Sequence, residues 1–273
     1  MTPPIAPPQV IKFPARDAER FWEVPVLFED EHLLALDKPA GLPASPERSD
    51  LKRPNILSLL HQSIASGTSW ATSRKLSYLA NTHRLDSETS GVLLLAKTKA
   101  ALIHLCNQFG QQRNHITYTA LSSGHPQAMK NTVDTGLSPN LLRPELQVVN
   151  SRQGKRAITQ YEVFETFPGH CLIRVSPLTQ RTHQVRAHLK HVGLSIVGDM
   201  LYGGSHLYLS SLKQGYREKA SAPEQPLIRR LALHAESMRV IHPATGAEIF
   251  IESPLTKDFG VALKYLRKYS RGG

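Results

Sequence analysis

The chain has 273 residues, 40% of them hydrophobic and 20% charged, with 33 Lys and Arg against 22 Asp and Glu and a formal net charge of +11. Such a chain buries a full core as one large domain or two lobes, which excludes a disordered protein, and its two cysteines, Cys106 and Cys171, supply neither a thiolate metal cluster nor a secreted disulfide framework. The longest apolar run, Val92 to Ala96, is far short of the ~20 residues of a membrane span, and the start has no secretory signal, so a cytoplasmic protein without a membrane partner is expected.

Five prolines in the first fourteen residues predict a poorly ordered arm over residues 1–24, with the fold beginning near Val24 and a single body over 25–273. Val26 to Asp37 predicts two short strands around a turn at Asp30 and Glu31, followed by the loop Lys38-Pro-Ala-Gly-Leu-Pro43. Ile56, Leu59, Leu60 and Ile64 recur at helical spacing, and Val92 to Ala96 predicts a buried strand. Thr98 is placed to cap a helix whose face is Leu102, Leu105, Cys106 and Phe109, ended by Gly110. Ile116 to Leu121 is a strand candidate, and Ala157 to Thr166 and Cys171 to Ser176 are expected to pair across Pro168 and Gly169. A helix capped by Thr182 buries Val185, Leu189 and Val192 and closes at Gly193. Leu231 to Val240 and Ala247 to Glu252 form another strand pair, and Phe259, Ala262, Leu263 and Leu266 mark a last helix. Strand pairs with helices between them predict an α+β fold on a mixed, mainly antiparallel sheet flanked by helices.

Residues 1–50 carry net −4, which leaves +15 on residues 51–273. The basic surface therefore belongs to the folded body, and a compact body with that excess attracts a polyanion, of which nucleic acid is the commonest in a cell. The chemistry-bearing stretch is His83 to Lys97, HRLDSETSGVLLLAK. It sets His83, Arg84 and Asp86 in a turn directly before a buried strand, the rigid support that a catalytic carboxylate needs; a plain Asx turn at Asp86 is the alternative.

That stretch resembles the catalytic signature of the RluA-class pseudouridine synthases, which isomerise uridine in structured RNA. LLALDKPAGLPASP at 33–46, TYTAL at 117–121, LTQRTHQVRAHLKHVGLSIVGDMLYGG at 178–204 and LALHAESMRVIHPATG at 231–246 resemble that family's other signatures, in the same order. The resemblance implies the family's fold with a central catalytic cleft, and it makes Asp86 the catalytic aspartate, acting as a nucleophile or by removing a proton from the sugar. It makes Arg186 the countercharge that keeps Asp86 ionised. Arg84 is implied to fill the space of a flipped nucleotide, Tyr118 to stack on the uracil and Leu233 to wall the pocket. By composition alone, Tyr118 and Leu233 are ordinary core residues and Arg186 a surface one. The glycosidic bond to nitrogen breaks and a bond to carbon 5 forms with no oxidation and no hydrolysis, so neither a cofactor nor a metal is expected.

Three departures bear on RNA contacts. Gln180 stands where the family has glycine, Ile116 where it has lysine, and Ser45 where many relatives have histidine. His183, His188 and His191 invite a metal reading, but no carboxylate or cysteine ligand accompanies them and HExxH is absent. The rival function is a non-catalytic RNA-binding or RNA-chaperone protein on the same fold. About twenty-five residues before the expected first strand are too few for an added RNA-binding domain, so a monomer is expected to recognise a stem-loop of ribosomal RNA, or of transfer RNA, with the body's own cations. Arg181 is a phosphate candidate, and so are Arg152, Lys155 and Arg156, clustered just before a strand. Lys213, Arg217, Lys219, Arg229 and Arg230, and Lys264, Arg267, Lys268 and Arg271, are further candidates.

Overall fold

The computed structural model describes residues 10–14, 21–46, 50–111, 115–217 and 222–270. In chain order it has β1 (Val10–Pro14), β2 (Phe21–Glu29), β3 (Leu33–Lys38), α1 (Ile56–Ala65), α2 (Ser69–Ser73), β4 (Ala80–Asn81), β5 (Ser90–Ala96) and α3 (Lys99–Gly110). There follow β6 (His115–Ser123), β7 (Lys130–Asp134), β8 (Leu137–Pro139), β9 (Gln147–Val149), β10 (Ile158–Phe167), β11 (His170–Pro177) and α4 (Gln184–His191). A 3-10 turn at Met200–Tyr202, β12 (Leu233–Ile241), β13 (Glu248–Glu252) and α5 (Lys257–Tyr269) complete it. The class is α+β with mainly antiparallel strands, as expected. The chain divides into two compact units, residues 1–116 with 235–253 and residues 117–234 with 254–273, where the sequence suggested one body over 25–273.

In the first unit the strands run in the order β1-β2-β3-β5-β12, with β4 on β5 and β13 on β12. The continuous apolar runs explain the middle of that order: every residue of β5 is buried, and so is all but one of β3, which suits strands covered on both faces. Asp30 closes the β2–β3 turn by accepting the amides of His32 and Leu33 through Oδ1 at 2.7 and 2.8 Å. Thr98 caps α3 by accepting from the Ala101 amide, as predicted. Gly91 is required by close approach: its φ is +110°, and a Cβ there would lie 2.2 Å from the Ala235 carbonyl oxygen.

The expected arm fails at residues 10–14. They form β1, which pairs antiparallel with β2 and buries Ile11 and Phe13, with Phe13 edge-on to the Trp70 ring at 6.2 Å. The proline count hid a period-two pattern, since Val-Ile-Lys-Phe alternates outward and inward. Residues 1–9 and 15–20 of the expected arm lie outside the described residues.

The second unit runs β6-β11-β10-β7 in antiparallel order, with β8 and β9 as a separate hairpin. β10 and β11 turn at Gly169, as predicted. Leu121, Val163, Ile173, Leu189, Phe259 and Leu263 belong to its core. Thr182 is not the cap of α4. The cap is His183, in the left-handed region at φ +52°, while Gly193 at φ +78° closes the helix as expected. Among the described residues no helix is long and apolar enough to cross a membrane.

Because Phe13 is fully buried, Phe13→Ala should lower the unfolding free energy by about 3–5 kcal/mol, read by urea denaturation. A loss under about 1 kcal/mol would return β1 to the status of an unpacked arm.

Candidate active site

In the first unit, Asp86 sits half-buried and Arg84 exposed in the loop between β4 and β5. Backbone and side chains clamp this loop at both ends. At its start Thr82 and His83 take both backbone groups of Leu94: Thr82 Oγ1 donates to the carbonyl at 2.8 Å, and His83 Nε2 accepts from the amide at 3.0 Å. His83 is buried and stacks on the Phe109 ring at 5.5 Å. On the far side, the fully buried Lys38 ammonium donates to the carbonyls of Pro39, Leu42 and Ser87 at 3.0, 2.8 and 2.9 Å. The Gly41 amide adds a bond to the Ser87 carbonyl at 2.8 Å. Lys38 thus ties the Lys-Pro-Ala-Gly-Leu-Pro loop to the residue after Asp86. Sequence reasoning gives Lys38 no task; its signal is a lysine at the end of a mostly apolar strand, directly before the Pro-Ala-Gly-Leu-Pro loop.

An imidazole that accepts an amide proton at Nε2 is neutral, with its proton on Nδ1. Burial enforces that state, pushing the His83 pKa down to about 4, and the backbone of Arg84 offsets the effect only in part. The unfolded ring titrates near 6.5, so between 6.5 and 4 the unfolded chain holds more protons, and stability falls as pH falls through that window. The loss from His83 should reach about 3 kcal/mol. His83→Gln should flatten the stability profile between pH 6.5 and 4, measured by urea unfolding at a series of pH values, and an unaltered slope would refute the assignment.

In the second unit, Arg186 is not at the edge of a buried face, where helical spacing put it. Gln184 through Leu189 are all buried, because the polar side chains of α4 have partners. Thr179 Oγ1 accepts the Ile158 amide and donates to Gln184 Oε1, while Gln184 Nε2 donates to the Ile158 carbonyl and to Thr159 Oγ1 at 2.9 and 3.0 Å. His188 lies 2.9 Å from Thr159 Oγ1 through Nδ1 and 3.2 Å from the Thr135 carbonyl through Nε2, and burial lowers its pKa. His188, weighed as a metal ligand, instead helps fasten α4 to β10. His183 Nδ1 points at the Tyr202 hydroxyl, 3.0 Å away.

Arg186 is 3% exposed and meets Asp199, 1% exposed, through two parallel bonds: Nε to Oδ2 at 2.8 Å and Nη2 to Oδ1 at 2.7 Å. Its guanidinium also lies over the Tyr202 ring at 4.9 Å. Asp199 accepts the Tyr202 amide as well, which caps the 3-10 turn. Sequence reasoning misses Asp199, which stands in GDMLYGG nine residues from the nearest cation, Lys190. Asp199→Asn should cost about 3–5 kcal/mol, because it strands a buried cation, and Arg186→Met in the same chain should restore much of it. Urea unfolding of the two single variants and the double variant checks this.

Tyr118, on β6, is half-buried and packs with the buried Leu233 in one apolar cluster. Arg181, Arg152, Lys155 and Arg156 are all exposed, and Arg181 Nε donates to the Arg156 carbonyl at 3.2 Å, which gathers two of the four at one place. Gln180 is not left-handed, since the positive φ of this loop falls at His183, and Ile116 is buried where a lysine was the family residue. Arg230 is bound by Asp258 at 2.7 and 3.1 Å and by Thr256, and Arg156 Nη2 lies 3.6 Å from Asp134. Arg267 is paired with Glu165 at 2.8 Å. Lys219 and Arg271 lie outside the described residues.

A family model described as RNA pseudouridylate synthase matches residues 32–191. Ribosomal large subunit pseudouridine synthase D of Zymomonas mobilis is 31% identical over 264 residues, 93% of this chain and 76% of that protein. Ribosomal large subunit pseudouridine synthase C of Yersinia pestis is 35% identical over 244 residues, 89% and 69% of the two chains. Among solved structures, human RNA Pseudouridylate Synthase Domain Containing 4 is similar at a TM-score of 0.67 and 26% identity, covering 89% of this chain and 92% of that one. The clamped HRLD loop, the buried arginine of α4 and these relatives together establish that the chain belongs to the RluA-class family of RNA pseudouridine synthases.

Proposed function

We propose that this chain isomerises uridine to pseudouridine in ribosomal RNA, with transfer RNA as the second candidate, and that Asp86 is the carboxylate that carries the reaction. The observation that supports Asp86 is the fixed geometry of its loop, with Lys38 gripping the Ser87 carbonyl and His83 gripping Leu94. A turn held this way presents a carboxylate with little rearrangement during reaction. The ribosomal substrate rests on the names of the two relatives above.

In this reading the glycosidic bond from C1′ to N1 breaks, the uracil turns, and C1′ bonds to carbon 5. The hydrogen of carbon 5 leaves to solvent and N1 gains a proton, so the product is an isomer. Asp86 acts as an ionised carboxylate, on C1′ as nucleophile or on the sugar as base. Arg186 is its proposed countercharge, oriented by Asp199. Arg84 fills the place vacated by the extruded nucleotide, Tyr118 stacks on the uracil and Leu233 closes the apolar wall. Arg181, Arg152, Lys155 and Arg156 hold phosphates.

Asp86→Asn should abolish tritium release from ribosomal RNA transcripts labelled at carbon 5 of uridine, by more than about 10⁴-fold, while RNA affinity stays within about twofold. Release at an undiminished rate would overturn Asp86. RNA binding by the wild type with no release would favour the non-catalytic RNA-binding reading.

A further inference from the structure

The β8–β9 hairpin ends in two leucines that the fold leaves in water. Leu141 is 97% exposed and Leu142 93%. They do not sit on a loose loop. Asn140 Oδ1 accepts the amides of Leu142 and Arg143 at 2.9 and 3.0 Å, the Leu146 amide donates to the Arg143 carbonyl, and the Asn140 amide donates to the Leu146 carbonyl. These bonds close the turn with the leucines at its apex.

The base of the hairpin is anchored. Leu146 and Val149 pack on Leu137, Ala157, Ala187 and Tyr202, and the Tyr202 hydroxyl accepts the Gln147 amide at 2.8 Å. An isolated two-stranded hairpin is barely stable in water; this one stands out because Tyr202 and α4 hold it. The base thus buries Leu137 and half-buries Leu146 and Val149, so the full exposure of Leu141 and Leu142 belongs to the apex. Scattered surface leucines need no explanation, but an adjacent pair on a braced projection marks a contact surface.

Charge decides the partner. Arg143 beside the leucines is paired with Glu145 at 2.9 Å, so the charge comes from the hairpin base, where Arg152, Lys155 and Arg181 are exposed, Lys155 and Leu137 exchange backbone hydrogen bonds, and Arg156 lies 3.6 Å from Asp134. Two apolar side chains carried above a cationic base match a nucleic acid, whose phosphates take the cations and whose base steps accept an apolar wedge. We infer that Leu141 and Leu142 form such a wedge, entering a base stack of the RNA substrate and holding it open while a uridine is extruded. This rests on the isomerase reading above, and it adds a contact that none of the proposed site residues makes.

The test measures binding of a large-subunit ribosomal RNA transcript, over a series of salt concentrations, to Leu141→Ser/Leu142→Ser. Both side chains are exposed, so the unfolding midpoint should not move. The dissociation constant should rise about tenfold at every salt concentration with the salt slope unchanged, since an apolar contact releases no counterions. Arg152→Gln or Lys155→Gln should instead reduce the slope by about one, and Leu141→Met/Leu142→Met should bind as the wild type does. The wedge is overturned by an unchanged affinity in the serine variant, or by a loss that comes with a shallower slope. It is also overturned if sedimentation shows wild-type dimers that the serine variant disperses while RNA affinity stays put, because the leucines then cover a second copy of the chain. Tritium release is followed in parallel: a wild type that binds the transcript and releases nothing strikes the isomerase reading alone.

Discussion

A guanidinium held at 3% exposure needs an anion within hydrogen-bonding distance, and Asp199 supplies it through two bonds under 3 Å. Much of the second unit is arranged around that requirement. Asp199 is placed by the 3-10 turn it caps, and Tyr202 of that turn lays its ring on Arg186 while its hydroxyl meets His183 and the hairpin amide of Gln147. Removing the carboxylate would therefore disturb a helix, a turn and the foot of a hairpin together. A bidentate pair also fixes the guanidinium plane, which a single ammonium contact does not.

The first unit solves a related problem with a different cation. Lys38 ends a buried strand, and its ammonium donates to three carbonyl oxygens. Backbone carbonyls are the only acceptors a Lys-Pro-Ala-Gly-Leu-Pro loop has in quantity, and its proline and glycine let the chain curl them around one ammonium. His83 anchors the other end of the Asp86 loop as a neutral ring, so acid weakens that anchor when the unfolded chain gains the proton. In both units, then, the side chains proposed to act on substrate are presented by buried polar groups that do not act on it.

Much of the fold was legible beforehand because period and punctuation are local. The β10–β11 and β12–β13 pairs, the Thr98 cap and the apolar face of α5 follow from alternation, turn residues and helical spacing. Legibility failed where the reason for a residue lies far along the chain. Phe13 is core because Trp70 meets it, and α4 is buried from Gln184 through Leu189 because Thr179, Thr159 and Asp199 satisfy its polar side chains. Spacing treats a helical arginine or histidine as a surface group, and only a partner contradicts that. β7, β8 and β9 were missed because each is five residues or fewer, too short for a period to show.

By itself the sequence determined the family, the α+β class, the basic body and the candidacy of Asp86, since motif order and charge need no coordinates. The tertiary structure decided what holds the candidates in place: Lys38 on the Ser87 carbonyl, His83 on Leu94, Asp199 on Arg186. It also decided which of the proposed phosphate-binding arginines meet carboxylates: Arg230 with Asp258, Arg267 with Glu165 and Arg156 with Asp134. The physical reason is the same in each case. Burial removes water as a partner, so a polar group inside the fold takes its role from whichever distant residue the packing brings within about 3 Å, and composition and spacing carry no record of that distance.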